Sequence, residues 1–451
     1  MADRRTKRKP QFANGQKSKT TRLSQTLIRE RRESVPRIKY ASDLPIASHI
    51  KRIQQLLQSH QVVIVAGETG SGKTTQLPLA CLEAGYGVEA SIAHTQPRRL
   101  AARAVAQRVA DQLDVKLGEQ IGYAVRFDES WSRHSLVKVM TDGMLLAEIN
   151  RDRELRRYEV VIVDEAHERT LNVDFLLGFL RRLIDKRPEL KVIITSATID
   201  VESFSRHFND APVVEVEGRS YPVSVEYRPP EDDLESTVFG CLEEIRNSGV
   251  KGAKDVLMFL PTEQEILEWS NRIRRRIPKE LEVLPLYARL PPRDQQRIFH
   301  PTGKQRILLS TNVAETSLTV PNIRFVIDLG KARISRYSAR SRVQRLPIEQ
   351  ISQASADQRK GRCGRVAPGV CYRIYSEAVY DRVPRYTDPE LKRTNLASVL
   401  LQTKHFRLGD IRKFPFLEPP DERSIAQAER LLDELGALED GKLTACRSIL
   451  D

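Results

Sequence analysis

The chain has 451 residues, a formal net charge of +14, a hydrophobic share of 40%, a charged share of 30% and a mean hydropathy of −0.44. Single hydrophobic cores stop growing near roughly 250 to 300 residues, so two or three globular units are expected. No apolar run approaches the roughly 20 residues needed to cross a bilayer, and no apolar stretch follows the N-terminal basic residues as a secretory signal requires; a cytoplasmic protein without a membrane partner is expected.

The charge is uneven. Residues 1 to 40 hold 13 Lys or Arg against three acids, which is +10 of the total. That stretch has few aromatics and no sustained apolar period, so it is expected to be a mostly disordered arm, with Ser24 to Glu33 able to form a helix on binding. From Leu44 onward short β-branched runs alternate with amphipathic helical stretches, the pattern of parallel-sheet α/β architecture. Strands are expected at Val62 to Val65, Ser91 to His94, Val137 to Met140, Val160 to Val163 and Val192 to Thr195. A second series follows Pro229 and Pro230, at Val256 to Leu260, Val283 to Leu286, Arg306 to Ser310, Phe325 to Ile327 and Val370 to Tyr375. Two doubly wound units in tandem imply a cleft between them. After Pro384 helices dominate, at Asn395 to Lys404 and Ile425 to Leu435. The five cysteines (Cys81, Cys241, Cys363, Cys371, Cys446) are scattered without CxxC spacing and are expected to be reduced thiols.

Gly67-Glu68-Thr69-Gly70-Ser71-Gly72-Lys73-Thr74 matches GxxxxGK[ST] between an apolar strand and a helix, where backbone N–H groups curl round phosphate oxygens and the helix terminus adds partial positive charge. Lys73 is expected to reach the β and γ phosphates of ATP or another NTP, and the Thr74 hydroxyl to ligate Mg²⁺. Val160 to Val163 leads into Asp164-Glu165-Ala166-His167. At the carboxyl end of a buried strand Asp164 suits the Mg²⁺ shell, partly through water, and Glu165 suits polarising the attacking water. Gln358-Arg359-Lys360-Gly361-Arg362-Cys363-Gly364-Arg365 presents two arginines three apart, Arg362 and Arg365, as candidate fingers on a γ-phosphate; a solvated basic loop is the alternative.

With these segments in place, the chain resembles the DEAH-box helicases of superfamily 2, most closely the bacterial HrpA type, from about Arg31 to about Thr444. The motifs stand in the family's order: GETGSGKT at 67 to 74, TQPRR at 95 to 99, TDGML at 141 to 145, DEAH at 164 to 167, SAT at 196 to 198, FLPT at 259 to 262, TNVAETSLTVP at 311 to 321 and QRKGRCGR at 358 to 365. The resemblance implies two tandem RecA-like doubly wound parallel-sheet domains, at 41–220 and 221–385, between the arm at 1–40 and a partial winged-helix domain at 386–451. It implies that His167 belongs to the nucleotide site, that Gln358 helps place the hydrolytic water, and that Ser196 and Thr198 couple the lobes. Thr95, Arg98, Arg99, Thr141, Asp142 and Gly143 would line the first lobe's nucleic-acid face, with Thr311 and Asn312 on the second. Ile334 to Ile351, where Arg336, Arg340, Arg342 and Arg345 interleave with apolar residues, would be the strand-separating hairpin.

Two departures matter. Lys331 stands where eukaryotic relatives carry a base-stacking aromatic, so low base selectivity is expected; and Ala445 to Asp451 depart from the family after a partial winged-helix unit, which suggests a chain cut short. The implied activity is RNA-stimulated NTP hydrolysis driving 3′-to-5′ translocation and duplex or RNP remodelling. A monomer is expected, acting on single-stranded RNA or a 3′ overhang, with a ribosome or RNP as possible partner. The competing reading is an ATP-gated RNA clamp with little unwinding. A small-molecule kinase is disfavoured by the arginine segment and the second lobe.

Overall fold

In the computed structural model, residues 23–197, 201–218, 221–250, 254–276, 281–291, 294, 297–298, 303–315, 320–338, 343–439 and 442–444 are described. The apolar runs form the strands expected of them, and their carboxyl ends gather the polar motifs. The first lobe holds β1 (Val62–Gly67), β2 (Ser91–Gln96), β3 (Ile121–Val125), β4 (Asp128–Ser130), β5 (Val137–Thr141), β6 (Tyr158–Val163), β7 (Lys191–Ser196) and β8 (Val213–Val216). They order as β4-β3-β5-β2-β6-β7-β1-β8, parallel except for the β3–β4 hairpin. Strand β1 is buried along its whole length, as a strand with helices on both faces must be. Strand β7 lies between β1 and β6 and pairs Ser196 with Ala66, so the loops after all three strands open at one edge.

The second lobe uses β9 (Val223–Tyr227), β10 (Asp255–Phe259), β11 (Glu282–Leu286), β12 (Arg306–Ser310), β13 (Ile323–Asp328) and, after an excursion, β18 (Gly369–Arg373), ordered β11-β12-β10-β13-β18-β9 and parallel throughout. The excursion is the expected hairpin. Here β14 (Lys331–Arg333) pairs with β17 (Ile348–Gln350), and β15 (Arg336–Ser338) with β16 (Val343–Arg345). Val343, Leu346 and Ile348 are exposed along it, and Arg340 and Arg342 lie outside the described residues.

Strands β3, β4, β8 and β9 are additional to the sequence expectation. Strands β4, β8 and β9 stand at sheet edges without a continuous apolar run, and β8, Val-Val-Glu-Val, is buried at every second residue; β3, Ile-Gly-Tyr-Ala-Val, is buried along its whole length. Cys81, Cys241, Cys363 and Cys371 are free and buried, and Cys446 lies outside the described residues.

The third unit carries helices Glu390–Arg393, Leu396–His405 and Glu422–Glu434 and a short pair, Leu438–Glu439 with Lys442–Leu443. It follows the second lobe in sequence but shares one core with the first. Leu391, Leu396, Leu400, Phe414 and Phe416 join Leu171, Phe175 and Leu176 of helix Leu171–Leu183. The Phe175 ring meets those of Phe406, Phe414 and Phe416 at centroid distances of 6.3, 6.1 and 5.6 Å, a range in which aromatic edges and faces attract. Gly178 is required on that helix, since a Cβ there would overlap the Phe414 ring.

The arm differs from its expectation within the described residues. Gln25–Glu33 is a helix capped by Ser24, whose hydroxyl accepts from the Leu27 N–H, and Val35, Ile38 and Tyr40 pack against the first-lobe core. Arg31 fixes it. Its guanidinium, 2% exposed, donates to the carbonyls of Arg133 (2.8 Å) and Gly87 (2.6 Å) and to Ser91 Oγ (3.0 Å). Composition favours disorder for so basic a segment, but one buried cation meeting fixed carbonyls overrides it locally. Residues 1–22 lie outside the described residues.

Arg31→Ala is therefore expected to destabilise the docked helix by roughly 2 kcal/mol or more, the scale of hydrogen bonds from a charged donor. Limited proteolysis should then cut within residues 23–40 while leaving the lobes intact. A protection pattern identical to that of the parent chain would contradict the anchoring role.

Candidate nucleotide site and nucleic-acid face

The loop after β1 turns on Gly70 and Gly72, both at φ +95°, a left-handed conformation that side chains rarely adopt. Gly72 caps helix Lys73–Glu83. The Lys73 ammonium is folded back over the loop, donating to Gly67 O (2.5 Å), Glu68 O (2.9 Å) and Ser71 Oγ (3.2 Å). Burial pushes its pKa below the ordinary lysine value against the pull of Glu165 and Asp164.

Asp164 is fully buried. Burial alone would raise its pKa, but polar contacts prevail and hold it well below the usual carboxylate range. His94 Nε2 lies 3.2 Å from Oδ2, Gln96 Nε2 donates to the same oxygen at 2.6 Å, and the Thr195 hydroxyl donates to Oδ1. Thr74 adds a further hydroxyl from the phosphate-loop helix. The carboxylate is thus ionised and shares a hydrogen bond with the residue expected to ligate Mg²⁺ beside it. Among the described residues no group of three His, Cys, Asp or Glu could hold a metal. One carboxylate and one hydroxyl fit an ion such as Mg²⁺, which keeps several waters and relies on substrate phosphates.

Glu165 takes the opposite course. It sits at φ +54°, with its N–H donated to Asp164 Oδ1 (3.0 Å) and Thr195 Oγ1 (3.1 Å). Burial and then the neighbouring Asp164 charge push its pKa up to about 8. Two adjacent acids therefore differ in protonation by environment: one stays charged, the other holds its proton until about pH 8.

His167 is buried, and its pKa is driven down to about 4, chiefly by that burial. It is neutral. Its Nδ1 accepts from the Ala197 N–H (3.1 Å), so the proton is carried on Nε2, 3.4 Å from Glu165 Oε2. The imidazole thereby ties the acidic loop to the loop holding Ser196. Ser196 is fully buried, and Thr198 lies outside the described residues.

Across the cleft, Arg362 is buried and Arg365 half-buried. Arg362 donates to the Glu315 carbonyl. Arg365 lies against the phosphate loop of the other lobe: a Cβ added to Gly70 would sit 3.4 Å from its guanidinium carbon. Burial lowers both pKa values, Arg365 to about 10, with Glu165 opposing in each case. Both remain cations at neutral pH. Arg359 of the same segment, absent from the sequence expectation, is a core group of the second lobe, paired with Glu315 (2.9 Å) and Asp328 (2.7 Å) over the Phe259 ring. His94, Gln96 and Thr195 were also missed. Their signal was polar residues ending otherwise apolar buried strands.

Gln358 lines a cavity of about 460 Å³ with Arg98, His167, Glu168, Asn312 and Glu315, where both lobes and the third unit meet. Arg98 bridges the lobes, donating to Asn312 O (3.3 Å) and approaching Glu168 at 3.6 Å. Arg99 and Asn312 are exposed, and Thr141, Gly143 and Thr311 half-buried. Two expectations change. Thr95 and Asp142 are both buried, and burial pushes Asp142 up to about 7. Their side chains are therefore not exposed on the surface where the sequence reading puts them. Below the acidic loop, Arg169 (φ +45°) pairs with Asp174 (2.7 Å) and, in the third unit, Glu418 (2.9 Å), while Glu390 accepts from the Leu171 N–H (2.8 Å).

Comparison with known proteins agrees with this geometry. Residues 48–206 match the family described as DEAD/DEAH box helicase, and residues 239–367 the helicase conserved C-terminal domain. The chain is 54% identical over 415 residues to the ATP-dependent RNA helicase HrpA homolog of Haemophilus influenzae, covering 91% of this chain and 32% of that protein. It is 55% identical over 410 residues to ATP-dependent RNA helicase HrpA of Escherichia coli, covering 89% and 31%. The crystal structure of the Escherichia coli DEAH/RHA helicase HrpB superposes with a TM-score of 0.82 at 35% identity, covering 89% of this chain and 52% of that one. The chain thus spans about a third of the length of these curated relatives. With both helicase domains matched in order and the acidic, phosphate-loop and arginine segments facing one cleft, it belongs to the DEAD/DEAH box helicase family.

Proposed function

We propose that this chain is an RNA-stimulated NTPase whose interlobe cleft hydrolyses ATP to ADP and phosphate and drives 3′-to-5′ movement along RNA, remodelling duplexes or RNPs. The observation that carries the reading is the contact of Arg365 with Gly70, which sets a second-lobe cation on a first-lobe phosphate loop beside Glu165. Gly67 to Thr74 bind the phosphates through backbone N–H groups and Lys73. Mg²⁺, held by Thr74 and through water by Asp164, would neutralise charge on the β and γ phosphates. Glu165 accepts the proton of the attacking water, Gln358 orients that water from the neighbouring cavity, and Arg362 and Arg365 balance charge developing on the transferred phosphoryl group. His167, Ser196 and Thr198 relay the state of the acidic loop to the face carrying Arg98, Arg99, Thr141, Gly143, Thr311 and Asn312, which hold RNA by sugar and phosphate. The reading places the chain in the cytoplasm as a monomer.

Three outcomes follow from this reading. Glu165→Gln binds ATP but loses turnover by at least about 10²-fold, the range of a general base; Lys73→Ala loses turnover and weakens ATP binding. Near-parent turnover by either variant removes that residue from its role. The single-turnover rate rises with pH through a midpoint near about 8 and levels above it, because Glu165 works only when deprotonated, whereas His167 is already neutral across that range. A midpoint at 6 to 7, or a flat profile from pH 6 to 9, contradicts the assignment. Residues 1–451 are expected to hydrolyse ATP with modest separation of a duplex bearing a 3′ overhang and none of one bearing a 5′ overhang. A 5′ preference overturns the direction, and turnover with nucleotide-dependent RNA affinity but no separation favours the ATP-gated clamp.

A further inference from the structure

A large cavity lies away from the cleft. It is a groove of about 1390 Å³ between helix Gln25–Glu33 and the amino-terminal ends of β2, β6 and β7. The nucleotide site occupies the carboxyl ends of the same strands, and six-residue strands separate the two by about 20 Å. The docked helix forms one wall, so Arg31 and its three hydrogen bonds build the groove.

Its charge is one-sided in what remains free. The lining carries eight Lys or Arg against five Glu, but most of the acids are engaged. Glu33 pairs with Arg29 (2.9 Å), Glu154 with Arg156 (2.7 Å) and Glu189 with Arg187 (2.7 Å), while Glu159 accepts the Ala90 N–H. Arg32, Arg133, Arg157 and Lys186 are exposed and have no ion-pair partner among the described residues. The chain enters this groove at Leu23, directly after residues 1–22, which hold eight Lys or Arg against one acid. Unpaired cations spread over several elements, continued by a basic segment, match a linear polyanion with evenly spaced charge.

We propose that this groove is a second RNA-backbone site, confined to the first lobe and independent of sequence. It rests on the proposed RNA activity and adds a distinct surface to it. Only first-lobe and arm residues line the groove, so its grip does not vary with opening and closing of the interlobe cleft. It therefore tethers RNA through the part of the cycle in which the lobes release their strand.

The test is a variant of the whole chain with Arg32→Gln, Arg133→Gln, Arg157→Gln and Lys186→Gln. None of these side chains touches the nucleotide site or is buried, so basal ATPase should equal that of the parent. RNA affinity is measured with a single-stranded oligonucleotide between 50 and 200 mM salt. Each phosphate contact contributes a slope of about −0.7 on single strands, so the log–log salt slope should flatten by about two to three units and affinity at low salt fall at least about tenfold. Photo-crosslinks from the parent should map to 25–33, 131–133 and 156–157. An unchanged slope with parent-like affinity, or crosslinks confined to the interlobe face, overturns the groove while leaving the RNA activity standing. A parent chain that binds no RNA overturns both, and competition by polyglutamate but not by RNA assigns the groove to an acidic protein and overturns this proposal.

Discussion

Two carboxylates that follow one another at the end of a buried strand cannot both be charged without compensation, and this chain resolves the conflict by giving them unequal surroundings. Asp164 is met by His94, Gln96, Thr195 and Thr74, and stays ionised. Glu165 receives no such set, is turned into a left-handed conformation, and is pushed up to about 8 by burial and by its neighbour. The order of strands makes this possible. With β7 between β1 and β6, Thr195 can reach Asp164 while Ser196 stands in register with the end of the phosphate-loop strand. The chemistry is distributed over three strand ends, each useless alone.

The same cleft assembles positive charge from both lobes. Lys73 comes from the first, Arg362 and Arg365 from the second; Lys73 and Arg362 are buried and Arg365 half-buried beside the two acids. Burying charge is costly unless it is paired, so the arrangement favours any anionic ligand that completes the balance and makes lobe closure sensitive to it. The acidic loop is in turn fastened below. Arg169 spans Asp174 and Glu418, and the third unit buries Phe414 and Phe416 against Phe175. A displacement of that unit is thereby mechanically linked to Arg169, four positions after Glu165.

Much of this was legible in the sequence, for identifiable reasons. Central strands are buried on both faces and read as continuous apolar runs, so β1, β6, β7, β10 and β12 stood out, and motifs at their ends could be placed on strand termini. Edge strands such as β8 and β9 lack that signal. The phosphate loop and the acidic pair follow from local chemistry, whereas the supports of Asp164 come from strands whose adjacency only the sheet order reveals. Thr95 and Asp142 show the converse: polar residues in motif positions suggested an exposed face, but their burial is a tertiary fact. The arm misled by composition, because one arginine with three fixed acceptors outweighs a locally basic sequence. The docking of the third unit on the first lobe was likewise invisible to chain order.

The account's central claim is that hydrolysis requires cations from both lobes at one phosphate site, and Arg365 tests it most directly. Pre-steady-state measurement of ATP binding and single-turnover hydrolysis by Arg365→Ala, beside the parent chain, separates grip from chemistry. The predicted result is ATP affinity within several-fold of the parent with the hydrolytic step slowed by about 10³-fold or more, as for arginine fingers elsewhere. Hydrolysis within a few-fold of the parent would contradict the account, since the chemistry would then reside in the first lobe alone.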